Sequence, residues 1–398
     1  MRKRPRDLCA SRSWQDFLSR ARVREKRVWL SWYRIPMLPL RFLQIEPTTR
    51  CNFTCGFCAG RSMPQKDLPL AQFQTLLSAA PHVEHVELQG EGESLLHPQV
   101  LDMVAALRAR SIKVSLITNG SLLGPDVADK LTALGVEKVS VSMESADPET
   151  FQRIRGGKFD KVLSGLKTLL SARRTKGLDR PIVGLSITVL KDTQAALPHL
   201  LSLYDELGLD GGVTLQPLSL MPEYQKNYPQ AMQNQALSQD EVDELWVKFR
   251  LDRRLARIKK NKERLAVRGF YDELMASFVP GKRRCPWLDA GLYVNHQGQT
   301  TACCMIKDTT RHGLGQLGAD PLADILSRRQ AMADKLARGV LPKACEGCEL
   351  GRFALMNRFQ LVRFALLGSL RTWIKRWKKP SKPVRRLPVL PPSPPMHK

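Results

Sequence analysis

The sequence lacks the features that mark membrane and secreted proteins. No stretch of its 398 residues approaches the ~18 consecutive apolar residues of a membrane-spanning helix. The basic residues 1–6 are not followed by an apolar run and a small-residue cleavage site, so no signal peptide is expected. The nine cysteines fall into clusters rather than a disulfide framework, which is typical of metal ligation in a reducing compartment. A cytoplasmic location is therefore expected.

Acidic residues are missing from the C-terminal end of the chain. Residues 352–398 contain 12 Lys or Arg and no Asp or Glu, and residues 1–34 carry a net charge of +8. These two segments hold most of the net charge of +25, so the middle of the chain is nearly neutral. Basic ends on a near-neutral core favour an anionic partner, a membrane surface or a nucleic acid, unless they are simply solvated tails.

Between residues 41 and 221 short β-rich runs alternate with helical patterns. The predicted strands are Phe42–Glu46, His85–Gln89, Ile112–Thr118, Lys138–Met143, Ile182–Val189 and Val213–Gln216. The helical patterns between them include Gln99–Arg110, Asp126–Leu134 and Phe159–Arg173. Repeated βα alternation predicts a parallel sheet with helices packed outside it. In parallel barrels the functional residues lie at the C-terminal ends of the strands.

Three cysteines follow directly after the first predicted strand. Cys51, Cys55 and Cys58 are separated by three and by two residues, and the aromatic Phe57 precedes the last of them. Three thiolates can hold three irons of a [4Fe–4S] cluster, which leaves the fourth iron open to a chelating small molecule. A structural zinc site needs four closed ligands. The loop therefore favours an iron–sulfur cluster over zinc.

This loop resembles the CxxxCxφC signature of the radical SAM superfamily, in which φ is an aromatic residue. The resemblance implies an α/β fold, a partial (β/α)6 barrel, in which S-adenosylmethionine chelates the open iron. It also implies that reductive cleavage of this cofactor gives a 5′-deoxyadenosyl radical, which abstracts a hydrogen atom from the substrate. A reducing partner such as flavodoxin or ferredoxin would supply the electron.

The ends of two other predicted strands resemble the same family. Gly92-Glu93 matches the superfamily's Gly-Gly-Glu-Pro motif, with Ser94 in place of the proline. The resemblance implies that this turn holds the methionyl ammonium of S-adenosylmethionine. It also places Ser142 near the ribose or carboxylate of that cofactor. Arg155 becomes a candidate partner of the carboxylate, for which a guanidinium fork is suited.

A second cysteine set lies near the C-terminal end of the chain, at Cys285, Cys303, Cys304, Cys345 and Cys348. A hairpin predicted around Gln297-Gly298 would bring the first two together. Four cysteines can close a second [4Fe–4S] cluster or bind zinc as a ribbon, and spacing alone does not separate the two. The arrangement resembles the start of a SPASM domain, in its shortened single-cluster "twitch" form. That resemblance implies Cys285, Cys303, Cys345 and Cys348 as ligands, and Cys304 could replace Cys303.

These patterns divide the chain into six segments. They are a basic N-terminal arm (1–40), a radical SAM core (41–221), a helical connector (222–280), a twitch/SPASM-like auxiliary domain (281–350), a basic amphipathic helix (351–379) and a disordered Pro-rich tail (380–398). In the fifth segment apolar residues recur every three or four positions. That pattern fits a helix lying on the inner face of the membrane, or equally a helix packed on the barrel.

The predicted function is a two-electron oxidation in which the auxiliary cluster takes the second electron. The substrate would be a small molecule such as a polyol or sugar. A peptide or protein side chain is the alternative, as in SPASM maturases. A third hypothesis is a non-catalytic iron–sulfur or zinc protein that binds nucleic acid through its basic ends. It is the least favoured, because it leaves the three-cysteine loop and the Gly92-Glu93 motif unexplained.

Overall fold

Six parallel strands form the first part of the sheet in the computed structural model, which describes residues 38–59, 63–251, 278–362 and 366. They are β1 (Phe42–Ile45), β2 (His85–Leu88), β3 (Lys113–Thr118), β4 (Lys138–Ser142), β5 (Ile182–Val189) and β6 (Val213–Pro217). Each pairs in parallel with the next along the chain. The six predicted strands are confirmed to within one residue at each end.

A helix follows most of these strands, as the βα alternation predicted. The helices are α1 (Leu70–Ala79), α2 (Val100–Ala109), α3 (Pro125–Ala133), α4 (Pro148–Arg155), α5 (Phe159–Thr175) and α6 (Leu197–Glu206). Proline is the first residue of both α3 and α4, where its missing N–H has no intrahelical partner to lose. The fold class predicted from the sequence, a partial (β/α)6 barrel, is confirmed.

The core lies between the sheet and its covering helices. All four residues of β1 and of β2 are buried, because a parallel sheet is covered on both faces. Leu131 of α3 and Leu166 of α5 are fully buried with Val139 of β4 in the same cluster. Burial of each such side chain stabilises the fold by roughly 1.5–3 kcal/mol. This rigid layer fixes where the loops after each strand begin.

The second cysteine region extends the same sheet. After the short helix α10 (Pro286–Ala290), β7 (Gly291–Val294) pairs in parallel with β1, with Phe42 opposite Gly291. β8 (Gln299–Thr301) and β9 (Gly315–Gln316) follow as antiparallel strands, giving the order β6-β5-β4-β3-β2-β1-β7-β8-β9. The hairpin predicted at Gln297-Gly298 joins β7 and β8, and Gly298 has a φ of +83° that suits glycine.

Further helices follow β6 and accompany this extension. They are α7 (Pro222–Gln225), α8 (Gln230–Gln233), α9 (Gln239–Leu251), α11 (Thr309–His312), α12 (Leu322–Ala337) and α13 (Glu349–Leu355). The predicted N-terminal arm up to residue 37, residues 252–277 of the predicted helical connector and the Pro-rich tail lie outside the described residues. Nothing within the described part of the chain is a helix long and apolar enough to cross a membrane.

The predicted amphipathic helix of residues 351–379 is interrupted in its described part. α13 ends at Leu355, and residues 358–362 begin a new helical stretch. The Asn357 side chain accepts the Gln360 N–H at 2.8 Å, while the Gln360 side chain accepts the Asn357 N–H at 2.9 Å. This reciprocal pair is a capping box, which starts a helix. The rest of the predicted helix, apart from Leu366, lies outside the described residues.

Candidate functional site

The three-cysteine loop is fastened to the C-terminal end of α4. The Thr54 N–H donates to the Arg155 carbonyl oxygen at 3.0 Å, and the Gly56 N–H donates to that of Ile154 at 3.2 Å. Within the loop the Cys58 N–H donates to the Cys55 carbonyl oxygen at 3.2 Å. The C-terminal end of α4 and a hydrogen bond within the loop therefore hold the loop in place just beyond β1.

The environment of these thiols fits ligands of a metal cluster. Cys51 is exposed, Cys55 is buried and Cys58 is half-buried, so the group faces outward at one edge. Burial raises the pKa of the Cys55 thiol to about 11 and also raises the pKa of Cys51. Such thiols are protonated at neutral pH when free and lose the proton on binding a metal.

A buried ion pair lies next to the three-cysteine loop and supports it. The Arg155 guanidinium donates from Nε and Nη2 to the two carboxylate oxygens of Glu144, the second at 2.9 Å. The side chain of Glu144 is fully buried, and only 7% of that of Arg155 is exposed. The Arg155 guanidinium carbon also lies 5.6 Å from the centroid of the Phe57 ring. Arg155, predicted to bind the cofactor carboxylate, is thus also the anchor of Phe57 and Thr54.

The Gly92-Glu93 turn packs tightly against the segment after β1. A Cβ on Gly92 would collide with the Thr48 carbonyl oxygen and lie 2.6 Å from that of Arg50. The carboxylate of Glu93, predicted to hold the cofactor ammonium, accepts hydrogen bonds from Thr118 Oγ1 at 2.7 Å, the Asn119 N–H at 2.6 Å and the Leu95 N–H at 3.1 Å. Its side chain therefore joins the turns after β2 and β3.

Ser142 is the last residue of β4 and lies opposite Ser186 of β5. It is half-buried at the C-terminal edge of the sheet. The turns that carry Cys51 and Gly92, and the end of α4 that carries Arg155, lie beyond the same edge. The structure therefore places the predicted site residues of the core at one end of the parallel strands, where ligands of such folds bind.

We expect Gly92→Ala to damage this end of the barrel. The added methyl group has no free space, so the variant should lose about 1–3 kcal/mol of unfolding free energy and bind S-adenosylmethionine more weakly. Gly124→Ala is the matched control, because a Cβ there meets no atom within 4 Å. Urea unfolding and calorimetric titration with S-adenosylmethionine would measure both effects. Equal stability and equal binding in the two variants would contradict this account of the turn.

The second cysteine set lines one cavity of about 260 Å³. The cysteines in its wall are Cys285, Cys303, Cys304, Cys345 and Cys348. Trp287, Leu341 and Phe353 are among the apolar side chains that enclose it. Burial raises the pKa of Cys285 and of Cys345 to about 12. A mostly apolar cavity with several thiols suits a metal cluster.

The structure distinguishes the two adjacent cysteines of this set. The pKa of Cys303 is raised by burial and by its neighbours Cys304, Cys348, Cys345 and Cys285. Burial raises the pKa of Cys304 to about 12, and the charged groups that act on that thiol are Lys307, Glu87 and Glu91. Cys303 therefore lies among the other three predicted ligands, whereas Cys304 lies among the charged side chains of Glu87, Glu91 and Lys307.

No three His, Cys, Asp or Glu side chains converge on the position of a single metal ion in the described ranges. A [4Fe–4S] cluster binds each cysteine to a different iron atom, so its ligands need not converge on one point. The cysteine arrangement is therefore compatible with such a cluster at both places.

Sequence reasoning missed a buried network of charged side chains behind these loops. Glu46, directly after β1, accepts the Glu91 N–H at 2.9 Å and lies 3.1 Å from His296 Nδ1. Burial opposes its ionisation, but the hydrogen bond with His296 and the charge of Lys307 lower its pKa overall. Lys307 lies 2.7 Å from the Glu91 carboxylate. Glu91 could have been noticed as an acidic residue inside the glycine motif, whereas Lys307 carries no local signal.

Residues 45–201 match the family model described as "Radical SAM superfamily". This part of the chain is therefore similar to a radical SAM domain, and that family implies a [4Fe–4S] cluster and S-adenosylmethionine. A tungsten-containing aldehyde ferredoxin oxidoreductase cofactor-modifying protein of Pyrococcus furiosus is 28% identical over 193 residues, which are 46% of this chain and 53% of that protein. A GTP 3′,8-cyclase of Rhodopseudomonas palustris is 34% identical over 195 residues, which are 46% of this chain and 53% of that protein. The match thus spans about half the length of these relatives.

Solved structures with the same fold cover more of the chain. Streptococcus suis SuiB bound to S-adenosylmethionine has a TM-score of 0.57 at 15% identity, over 80% of this chain and 72% of that one. Native anSMEcpe with bound AdoMet and Cp18Cys peptide has a TM-score of 0.58 at 16% identity, over 85% of this chain and 99% of that one. At these identities the likeness concerns the fold, and it extends past the six strands of the core.

Proposed function

We propose that this protein is a radical SAM enzyme whose first [4Fe–4S] cluster is held by Cys51, Cys55 and Cys58. The observation that carries the proposal is the position of these three thiols within the region that matches the radical SAM family model, just beyond the end of β1. Three cysteines leave one iron open, as the use of a chelating cofactor requires. The proposal rests on the arrangement of the site and not on the reaction of any one relative.

The chain's own residues position and shield the reactants. When bound, the cofactor pair supplies a carbon-centred radical that removes hydrogen from an unreactive carbon. We propose that backbone carbonyl groups of the Gly92 turn accept hydrogen bonds from the ammonium of S-adenosylmethionine, because the Glu93 carboxylate is engaged by Thr118 and Asn119. Ser142 and the Nη1 side of Arg155 are proposed to hold its carboxylate. In this proposal the buried layers of the partial barrel limit the access of water to the reacting atoms.

We also propose a second [4Fe–4S] cluster on Cys285, Cys303, Cys345 and Cys348. The shared cavity and the mutual influence of these thiols support it. Such a cluster would accept an electron from the substrate, so the net reaction would be a two-electron oxidation. A small-molecule substrate is the first candidate. A peptide is the second, favoured by the fold likeness to SuiB and anSMEcpe, both of which are also known in complexes with peptides.

Anaerobic reconstitution tests both proposals together. The full chain should contain about eight irons and should convert S-adenosylmethionine to 5′-deoxyadenosine when dithionite is added. About four irons with one zinc would remove the electron-accepting role of the second site and make it structural. No iron and no nucleoside would overturn the enzyme proposal.

Three exposed apolar side chains support contact with a membrane surface. Phe359, Val362 and Leu366 are 76%, 55% and 61% exposed, at spacings of three and four residues. Leu361, between them, packs against Gly281 instead. We propose that this apolar stripe enters the surface of an anionic membrane, supported by the 12 basic residues and absent acidic residues of 352–398.

Sedimentation with vesicles tests the membrane proposal. F359S/V362S/L366S should bind phosphatidylserine vesicles at least about tenfold more weakly than the wild type, because three apolar side chains no longer enter the interface. The control carries serine at Leu178, Val279 and Val340, which are also exposed, and should bind as the wild type does. Unchanged binding by the first variant would exclude the stripe as the contact.

A further inference from the structure

A bridge of largely buried side chains joins the two cysteine sets. The Glu91 carboxylate lies 3.6 Å from Cys58 Sγ through Oε2 and 3.5 Å from the Tyr224 hydroxyl through Oε1. The Tyr224 hydroxyl lies 3.4 Å from the carbonyl oxygen of Cys304, the residue after Cys303. Three contacts thus lead from a proposed ligand of the first cluster to the loop that carries a proposed ligand of the second.

Lys307 provides the positive charge of this bridge. Its Nζ lies 2.7 Å from Glu91 Oε1 and 4.5 Å from the centroid of the Tyr293 ring. Only 14% of the Lys307 side chain and 11% of the Glu91 side chain are exposed. Charges with so little access to water are weakly screened and act strongly on their neighbours.

The backbone around Lys307 is fixed by the same region. The N–H groups of Lys307 and Asp308 both donate to the Glu223 carboxylate at 2.8 Å. Glu223 precedes Tyr224 in α7. The loop after Cys303 and Cys304 is therefore held to α7 by Glu223. The same helix contacts Glu91 through Tyr224. The ammonium group has a defined position relative to both cysteine sets.

The charges of the bridge have a direct bearing on the first cluster. Cys58 binds iron as a thiolate, so the Glu91 carboxylate places a like charge 3.6 Å from the thiolate sulfur. That arrangement is unfavourable in a poorly solvated place unless a cation offsets it. Lys307 is the cation closest to Glu91 among the ion pairs of the described residues. The pair as a whole adds no net charge beside the cluster.

We infer that Lys307 is a positioning residue that joins the two cysteine loops and sets the electrostatic potential at the cluster held by Cys51, Cys55 and Cys58. This inference rests on the proposed function, which supplies that cluster. The inference predicts the direction in which each substitution shifts the reduction potential of this cluster. A cation removed from beside an iron–sulfur cluster makes reduction harder, and an anion removed makes reduction easier, because net charge is one of the quantities that set the potential.

Redox titration of the anaerobically purified full-length protein, followed by electron paramagnetic resonance, tests the inference. Lys307→Met should shift the potential of the first cluster to more negative values, and Glu91→Gln should shift it to more positive values. The double variant E91Q/K307M should return close to the wild type. The reduction potential of the auxiliary cluster should shift less in every variant. This pattern of opposite signs is not expected from damage to packing alone.

Arg173→Met is the matched control. Its ion pair with Asp210 is comparably buried, with 14% of the arginine side chain exposed, but it lies at the start of β5, at the opposite end of the sheet. In this variant the reduction potential of the first cluster should equal that of the wild type. Equal potentials in all variants would overturn the inference, and Glu91→Gln alone decides it if Lys307→Met loses iron. A wild type without any cluster signal would instead overturn the proposed function.

Discussion

The variant C51A/C55A/C58A should retain about four of the expected eight irons and form no 5′-deoxyadenosine. The three substitutions remove every cysteine that the first cluster has near β1, while the second set lies in a separate cavity more than 200 residues further along the chain. Iron and sulfide analysis together with nucleoside detection would measure the two effects.

C345A/C348A is the natural counterpart of that variant. It should also keep about four irons, but it should still convert S-adenosylmethionine to 5′-deoxyadenosine, because its first cluster is intact. Loss of all iron in either variant would mean that the two sites do not form independently. Nucleoside formation by C51A/C55A/C58A would show that radical formation takes place elsewhere in the chain.

Arg155→Met should be the most destabilising single substitution at the site. It leaves the Glu144 carboxylate fully buried without its guanidinium partner, and breaking a buried pair in this way costs about 3–5 kcal/mol. The cluster loop should loosen as well, since Phe57 packs under the same guanidinium. Urea unfolding would show the loss as a lower midpoint, and iron analysis would show reduced retention of the first cluster.

The double variant E144M/R155M separates the two roles of Arg155. Apolar replacement of both partners removes the uncompensated charge, so most of the lost stability should return. Binding of S-adenosylmethionine should stay weak if the guanidinium also holds the cofactor carboxylate. Recovery of stability and binding together would limit Arg155 to a structural role. A double variant no more stable than Arg155→Met would contradict the ion-pair argument.

Local sequence patterns predicted the strands and helices of the core because those patterns reflect burial. A strand buried on both faces needs an apolar run, as in Ile182–Val189, and a helix on the sheet needs one apolar side, as in Phe159–Thr175. The spacings within Cys51–Cys58 and within Cys345–Cys348 could also be recognised from a few consecutive residues. The break after Leu355 was also present in the sequence, as Asn357 and Gln360, but the longer apolar periodicity obscured it.

The site itself was only partly predictable. The sequence determined the βα core, the three-cysteine loop and the glycine turn, because each depends on residues close together in the chain. The second cysteine set was visible through its residue type, although its members are spread over residues 285–348. Only the tertiary structure decided that β7 pairs with β1, that Cys303 faces the other thiols and that Lys307 reaches Glu91. These pairings join residues more than 100 positions apart or depend on the direction of a buried side chain. Packing of the whole chain fixes such contacts, and no local spacing records them.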